Sequence, residues 1–176
     1  MSFSAAEAER WIPRLRRYAV ALTGNREAAD DLIQDTLERA WRKRALWQPG
    51  TDLRAWLFTV MHNVHVNVMR AAHPVESLDE QEIDSERAEA LSSSSSAESA
   101  VVLSELRAAL GRLSDEHRQV ILLVGLEQMS YGETAAILGI PIGTVMSRLA
   151  RGRDQLRQLL ARDQQVAAPP GLRRVK

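Results

Sequence analysis

SYGETAAILGIPIGTVMSRLARGR, at residues 130–153, predicts two helices joined by a tight turn. Ser130 and Glu133 have the spacing of a capping box, which predicts the start of the first helix. Gly139 predicts the end of that helix, and Pro141 suits the first turn of the second. A helix-turn-helix of this kind commonly lays its second helix in the major groove of duplex DNA.

The second helix of this motif has an apolar face opposite a cationic one when successive residues are placed about 100° apart. The residues predicted to be buried are Val145, Leu149, Gly152, Leu156 and Leu159. The residues predicted to contact duplex DNA are Thr144, Ser147, Arg148 and Arg151. Arginine can donate two hydrogen bonds to a guanine edge, and hydroxyl groups can contact bases or phosphates. The alternative is a solvated amphipathic helix that is basic without binding DNA.

The composition limits the classes of protein to be considered. The chain has 176 residues, of which 45% are hydrophobic, and this favours one large or two small globular domains. It has no cysteine, which excludes disulfides and thiolate metal sites within the chain. No apolar run approaches the length of a membrane span, and the first residues lack the order of a signal peptide. We therefore expect a cytoplasmic protein without membrane insertion.

Charge is distributed unevenly, although the formal net charge is zero. Residues 1–73 hold 11 Lys and Arg against 8 Asp and Glu, a net charge of +3. Residues 74–110 hold 2 against 9, a net charge of −7, and residues 111–176 hold 10 against 6, a net charge of +4. The two basic ends are therefore the parts expected to contact nucleic acid.

The acidic middle of the chain predicts a domain boundary. PVESLDEQEIDSERAEALSSSSSA, at residues 74–97, has few large apolar side chains and is typical of a flexible linker. We predict one domain at residues 1–73, a second at 98–165 that contains the helix-turn-helix, and a frayed tail at 166–176.

Apolar residues recur at helical spacing throughout, and no run alternates over a strand length, so both domains are predicted to be all-α. The predicted helices are Ser4 to Leu22 with a break near Pro13, Asn25 to Lys43, Leu53 to Arg70, Glu98 to Leu110, Asp115 to Leu126, and the two of the helix-turn-helix.

The helix from Asn25 has one apolar and one acidic face. The predicted core face comprises Ala29, Leu32, Ile33, Thr36, Leu37, Ala40 and Trp41, and the outer face comprises Glu27, Asp31, Gln34, Asp35 and Glu38. Two interpretations of the outer face are open: ordinary solvation, or a docking surface for a basic partner. Metal or acid–base chemistry is disfavoured because the segment contains no histidine.

The helix from Leu53 is apolar nearly all round, which predicts the central helix of its domain. Its polar stripe consists of Thr59, Asn63, Asn67 and Arg70. This stripe could satisfy nearby backbone groups, or it could contact unpaired bases that stack on Trp47 and Trp56. For Trp56 itself, packing in the core is the favoured interpretation.

His62 and His65 on the same helix are three residues apart, but no third ligand is evident. We therefore expect no metal site, and imidazoles at the surface or beside DNA.

Segment by segment, the chain resembles the extracytoplasmic-function sigma factors, the smallest promoter-specificity subunits of bacterial RNA polymerase. The matching segments are RRYAVALTGNREAADDLIQDTLERAW at 16–41, LRAWLFTVMHNVHVNVMR at 53–70 and LSDEHRQVILLVGLEQMSYGETAAILGIPIGTVMSRLARGRDQLR at 113–157. The resemblance implies two helical domains, promoter-selective initiation together with core polymerase, no enzymatic activity and no cofactor.

The resemblance also implies roles for individual surfaces. The segment DDLIQD at 30–35 would dock on a coiled coil of the largest polymerase subunit, and the helix-turn-helix would bind the minus-thirty-five element. The loop at 44–52 and the helix after it would bind the minus-ten element. The implied core-binding residues are Asp31, Gln34, Asp35 and Glu38, and the implied minus-ten residues are Arg44, Trp47, Asn63, Asn67 and Arg70. The linker would pass near the RNA exit path, and an anti-sigma protein is expected to hold the chain inactive.

The chain departs from the family pattern at two promoter-binding positions. Asn67 stands where Asp is usual, and Met146 stands where Lys or Arg is often found. Two other classes of protein are considered. A free-standing helix-turn-helix regulator leaves the acidic face unexplained, and a metal-dependent nuclease needs a ligand cluster that the sequence does not offer.

Overall fold

The computed structural model describes residues 2–72 and 97–167, and these residues are helical in the order that the sequence predicts. The helices are α1 (Ala5–Glu9), α2 (Ile12–Thr23), α3 (Arg26–Arg42), α4 (Leu53–Ala72), α5 (Ala97–Gly111), α6 (Asp115–Ile121), α7 (Tyr131–Leu138) and α8 (Ile142–Ala167). A 3₁₀ turn at Arg44–Leu46 follows α3, and a π-helical segment at Leu122–Leu126 extends α6. The all-α prediction is confirmed. The predicted linker lies outside the described residues except for residue 97, as does the tail from residue 168.

The boundaries of the N-terminal helices follow from local capping chemistry. The Ser4 hydroxyl accepts a hydrogen bond from the Glu7 backbone amide, while the Glu7 carboxylate accepts one from the Ser4 amide. The predicted break lies between α1 and α2, with Pro13 in the first turn of α2. Gly24 ends α2 in the left-handed region at φ 67°, and the Asn25 side chain caps α3.

The helix-turn-helix also begins and ends as predicted. Ser130 and Glu133 form the capping box of α7, and Gly139 ends that helix at φ 64°. On α8, the predicted apolar face is turned inward, and Val145 and Leu149 are buried. Gly152 allows α8 to approach α6 closely: a Cβ atom at this position would lie 2.9 Å from Ile121 Cδ1.

The predicted central helix, α4, provides much of the N-terminal core. Leu57, Phe58 and Met61 are fully or almost fully buried, and the Phe58 ring packs edge-on against Tyr18 at a centroid distance of 5.2 Å. One core prediction for α3 is wrong. Trp41 is 47% exposed and lies in the last turn of α3, where, among the described residues, only the Arg44 guanidinium is recorded against its ring.

The two halves of the chain pack against each other. One continuous cluster of buried apolar side chains includes Leu15 and Leu57 from the N-terminal half and Leu113, Leu123 and Met129 from the C-terminal half. α2 contacts α5, α6 and the π-helical segment, and α4 contacts α7. The acidic composition of residues 74–97 was the basis for predicting two domains, and neither it nor the helix pattern carried information about this interface. Within residues 2–72 and 97–167, no helix combines the length and hydropathy needed to cross a membrane.

Candidate nucleic-acid and polymerase interfaces

The outer face of α8 is the surface predicted to contact duplex DNA. Ser147 and Arg151 are exposed, Thr144 is half-buried, and the Ser147 hydroxyl donates to the Thr144 carbonyl at 3.1 Å. Met146, which stands where a basic residue is often found in the resembling family, is 52% exposed beside them. The opposite face is buried, so the packing of α8 directs these side chains to solvent.

Arg148 differs from the other predicted contacts on α8. Its guanidinium is paired with the Glu116 carboxylate at 2.8 Å, and its side chain is only 25% exposed. The sequence predicts Arg148 as a DNA contact but could not show that Glu116, on α6, lies within reach. In this conformation Arg148 is directed toward α6.

Two of the predicted minus-ten residues share a cleft between α3 and α4. Asn63 and Asn67 line a cleft of about 240 Å³ together with Val60 of α4, Arg39 of α3 and Lys43, the C-cap residue of α3. The amides therefore lie beside two cations, which is a combination suited to base edges and phosphates. Sequence reasoning missed these two cations, although their spacing of four residues places them on one face of α3.

The loop after α3 contains the other aromatic and basic candidates. The Arg44 guanidinium lies 4.6 Å from the centroid of the Trp41 ring and donates to the Trp41 carbonyl at 2.9 Å. Trp47 and Trp56 both contact Phe3, at centroid distances of 5.9 Å and 5.4 Å.

Phe3 was not singled out from the sequence, yet it is only 3% exposed. Because Phe3 packs against Trp47 and Trp56, it covers part of the two rings on which unpaired bases were predicted to stack. The Trp47 Nε1 group is buried and has no hydrogen-bond partner among the described residues.

The acidic face of α3 is directed to solvent as predicted. Its exposed residues are Asp31, Gln34, Asp35 and Glu38. Glu38 is paired with Arg42 one turn later, and the neighbouring Asp30 is paired with Arg16 of α2 at 3.0 Å. The opposite side of α3, including Leu32 and Thr36, is buried. The face is thus a solvent-exposed acidic surface outside the interface between the two halves.

A second, larger cleft of about 480 Å³ lies between the two halves of the chain. It is lined by His62, Val66, Met69 and Arg70 of α4 and by Asp115, Glu116, Gln119, Leu138, Ile140 and Arg148 of the C-terminal half. Arg70 therefore lines this second cleft, together with Arg148, and not the cleft that contains Asn63 and Asn67. The predicted minus-ten residues on α4 are therefore divided between two clefts.

The histidines of α4 belong to the interface between the halves, and their expected placement at the surface or beside DNA is wrong. His62 Nδ1 lies 2.7 Å from Gln119 Oε1, and His65 Nε2 lies 3.0 Å from Asp115 Oδ1. Nothing in the sequence indicated that α6 packs over these side chains. Among the described residues, no group of three or more potential ligands is placed to hold a metal ion.

Burial and hydrogen bonding shift the pKa values of two groups at this interface. Burial lowers the pKa of His62, and its hydrogen bond to Gln119 only partly opposes this effect. Burial raises the pKa of Asp115, but the hydrogen bond and charge of His65, with smaller contributions from Gln119 and Arg118, outweigh it. The net effect is a pKa of Asp115 below its ordinary value.

Comparison with known proteins places both halves of the chain in one family. The model of the sigma-2 domain of PhyR matches residues 9–62, and the model of sigma-70 region 4 matches residues 103–156. The ECF RNA polymerase sigma factor EcfG of Rhodopseudomonas palustris is 38% identical over 149 residues, covering 85% of this chain and 80% of EcfG. The chain belongs to the extracytoplasmic-function (ECF) sigma factors. SigE of Mycolicibacterium smegmatis is 36% identical over 85% of this chain and 58% of its own length.

Solved structures show the same fold. The sigma factor RpoE of Bartonella quintana, in complex with the anti-sigma factor NepR, is 33% identical and superposes with a TM-score of 0.69 over 90% of this chain and 96% of RpoE. CnrH, in complex with the cytosolic domain of CnrY, is 27% identical with a TM-score of 0.66 over 90% of this chain and 87% of CnrH.

As an ECF sigma factor, the chain directs core RNA polymerase to promoters and initiates transcription, and it is not itself an enzyme. The relatives match across both halves, so the free-standing regulator and the nuclease are set aside. The N-terminal and C-terminal halves are called σ2 and σ4 below.

Proposed function

We propose that this ECF sigma factor uses three separate surfaces to start transcription. The acidic face of α3 docks on core polymerase, the α3–α4 cleft and the neighbouring loop bind the melted minus-ten element, and the outer face of α8 binds the minus-thirty-five duplex. In this proposal σ2 comprises residues 1–73 and σ4 residues 98–165, with the acidic linker between them. The observation that carries the proposal is that α3 and α8 each bury one face and leave a chemically distinct polar face exposed.

For the minus-ten element, we propose that Asn63 and Asn67 contact bases and that Arg39 and Lys43 neutralise phosphates. The support is their shared cleft, because amides suit base edges and long cationic side chains suit the backbone.

Arg44, Trp47 and Arg70 would bind flanking nucleotides of the same strand. Arg44 and Trp47 lie in the loop that continues from the basic end of α3, and Arg70 lies in the last turns of α4. Trp47 would become available for stacking when Phe3 moves away from it.

For the minus-thirty-five element, we propose that Thr144, Ser147 and Arg151 lie in the major groove and that Arg148 joins them once it leaves Glu116. The exposed position of Arg151 next to the buried Gly152 supports this assignment, because the α6–α8 contact fixes the direction of that side chain. The salt bridge between Arg148 and Glu116 is partly exposed, so exchanging it for a phosphate or guanine contact costs little.

For core polymerase, we propose that Asp31, Gln34, Asp35 and Glu38 form the docking surface. All four are exposed on one side of α3, and three of them are acidic. Such a surface suits a basic partner, and charge complementarity mainly accelerates association and selects the partner.

We also propose that an anti-sigma protein binds this chain and that the complex with polymerase acts in the cytoplasm. RpoE and CnrH, both of which share its fold, were solved with an anti-sigma factor and with the cytosolic domain of CnrY, respectively.

The surface assignments are tested by transcription from a randomised promoter library with purified core polymerase. Arg151→Ala is expected to relax base preference only in the minus-thirty-five element, and the Asn63→Ala, Asn67→Ala double variant only in the minus-ten element. Arg157→Ala is the matched control, because Arg157 is an exposed arginine on the same helix that pairs with Asp154. Unchanged preference in both test variants, or a change in the element opposite to the one assigned, would contradict the proposal.

A further inference from the structure

The first turns of α8 expose an apolar stripe that the proposed minus-thirty-five contacts do not use. Ile142 begins the helix and is 51% exposed, and Met146, one turn later, is 52% exposed. Ala150 follows after another turn and is also exposed. Residues four apart are neighbours on the surface of a helix, so these three side chains form one continuous strip.

This stripe borders the surface that is assigned to duplex DNA. At about 100° per residue, Met146 and Ala150 lie directly beside Ser147, which is assigned to the major groove. The core face of α8 is formed instead by Val145 and Leu149. The fold therefore gains little from the large apolar side chain of Met146, and the stripe is continuous with the proposed DNA-binding surface.

The position of the stripe along α8 favours contacts with bases over contacts with phosphates. In a helix-turn-helix, the N-terminal residues of the second helix contact the base edges. Ile142 and Met146 lie in the first two turns of α8, whereas the same side of the helix becomes basic only at the exposed Arg153. Met146 carries neither a charge nor a hydrogen-bond donor, so it has nothing to offer a phosphate group.

The major groove presents one apolar group, the C5-methyl group of thymine, and apolar side chains contact it there. We propose that Met146, supported by Ile142, contacts the C5-methyl group of a thymine in the minus-thirty-five element and makes the chain specific for an A·T pair at that position. This inference rests on the proposed binding of α8 to that element. It adds a base contact made without a hydrogen bond to the polar contacts assigned above.

The expected size of the effect follows from the burial of one methyl group. Burial of a single aliphatic carbon group is equivalent to about a fourfold change in affinity. Uracil differs from thymine only in lacking the C5-methyl group, so its base pairing and its hydrogen-bonding groups in the major groove are unchanged. Replacement of the contacted thymine by uracil should therefore weaken promoter binding about fourfold.

The test uses the holoenzyme assembled from the full-length chain and core polymerase. The preferred minus-thirty-five element is first selected from a promoter library, and each thymine on either strand is then replaced singly by uracil. Competition between thymine and uracil promoters in open-complex formation measures the ratio of the two affinities. The parent holoenzyme is expected to prefer thymine about fourfold at one position of the element.

Three variants at Met146 separate the apolar contact from other roles, and because this side chain is exposed they should fold as the parent chain does. Met146→Gln keeps the length of the side chain but makes its end polar, and it should abolish the preference for thymine over uracil. Met146→Leu remains apolar and should retain most of the preference. Met146→Lys should lose it and instead make binding steeper in its dependence on salt, because a cation in this place neutralises phosphate.

Val102→Ala is the matched control. Val102 is another large apolar side chain of σ4 and is 58% exposed, but it lies on α5, outside the helix-turn-helix. The control variant should prefer thymine over uracil as strongly as the parent chain does.

Equal affinity for thymine and uracil at every position in the parent holoenzyme would overturn the proposal, as would a selected element without an A·T pair. A preference that Met146→Gln leaves unchanged would also overturn it. An element that can be scrambled completely without loss of initiation would instead count against the proposed binding of α8 to minus-thirty-five DNA.

Discussion

Replacement of Gly152 by alanine should destabilise the protein although alanine is the better helix former. Glycine in a helix interior costs about 1 kcal/mol relative to alanine, so the change would stabilise an unobstructed helix. At Gly152 the added Cβ would lie 2.9 Å from Ile121 Cδ1 and 3.2 Å from His117 Cβ, both on α6. Overpacking of this kind typically costs about 1–3 kcal/mol, which equals or exceeds the propensity gain.

We therefore expect Gly152→Ala to lower the free energy of unfolding by up to about 2 kcal/mol. Gly143, on the same helix, has nothing within 4 Å of an added Cβ and is the matched control. Gly143→Ala should leave the stability unchanged or raise it by up to about 1 kcal/mol.

Urea unfolding followed by circular dichroism measures both variants. Affinity for a minus-thirty-five duplex should fall with Gly152→Ala, because α8 must move away from α6 and carries Arg151 with it. A Gly152→Ala protein that is more stable than the parent chain would refute the reasoning about the α6–α8 contact.

Three further predictions concern binding and pH. Arg151→Ala should cost about 1–3 kcal/mol of promoter affinity and relax base preference. Fluorescence anisotropy measures this loss, and equal weakening on all sequences would instead indicate a phosphate contact. Reversal of charge at Asp31 and Asp35 should abolish co-purification with core polymerase while helicity is retained, and retained binding would contradict the docking assignment. Because burial lowers the pKa of His62, this imidazole binds a proton less readily in the folded chain than in the unfolded chain. The contribution of neutral His62 to stability is complete above about pH 6.5 and declines as the pH falls through the lowered pKa of this group. Unfolding midpoints at pH 7.5 and 5.5 should therefore differ less in His62→Gln than in the parent chain, and an equal difference would exclude this group.

The elements of the fold could be predicted because their signals are local. Ser4, Asn25 and Ser130 cap helices through atoms two or three residues away, and Gly24 and Gly139 end helices through their own backbone conformation. The buried face of α8 followed from helical periodicity in the same way. Such signals need no knowledge of what the helix packs against.

The features that could not be predicted depend on contacts between distant parts of the chain. Phe3 reaches Trp47, and Glu127 pairs with Arg14 more than a hundred residues away. A glutamate and an arginine this far apart in the sequence form no periodic pattern, so the interface between the two halves could not be predicted from the sequence. Arg39 is a different case. Its spacing of four residues from Lys43 predicts that both cations lie on one face of α3, so this pair could have been found from the sequence.

The central claim is that two helical domains of one chain select a start site together once polymerase holds them on DNA. The most direct measurement is single-round transcription by purified core polymerase from a promoter whose minus-ten and minus-thirty-five elements are scrambled one at a time. With the chain present, we predict initiation at one defined position that falls sharply when either element is scrambled. Initiation that is independent of the chain, or that survives loss of either element unchanged, would contradict the claim.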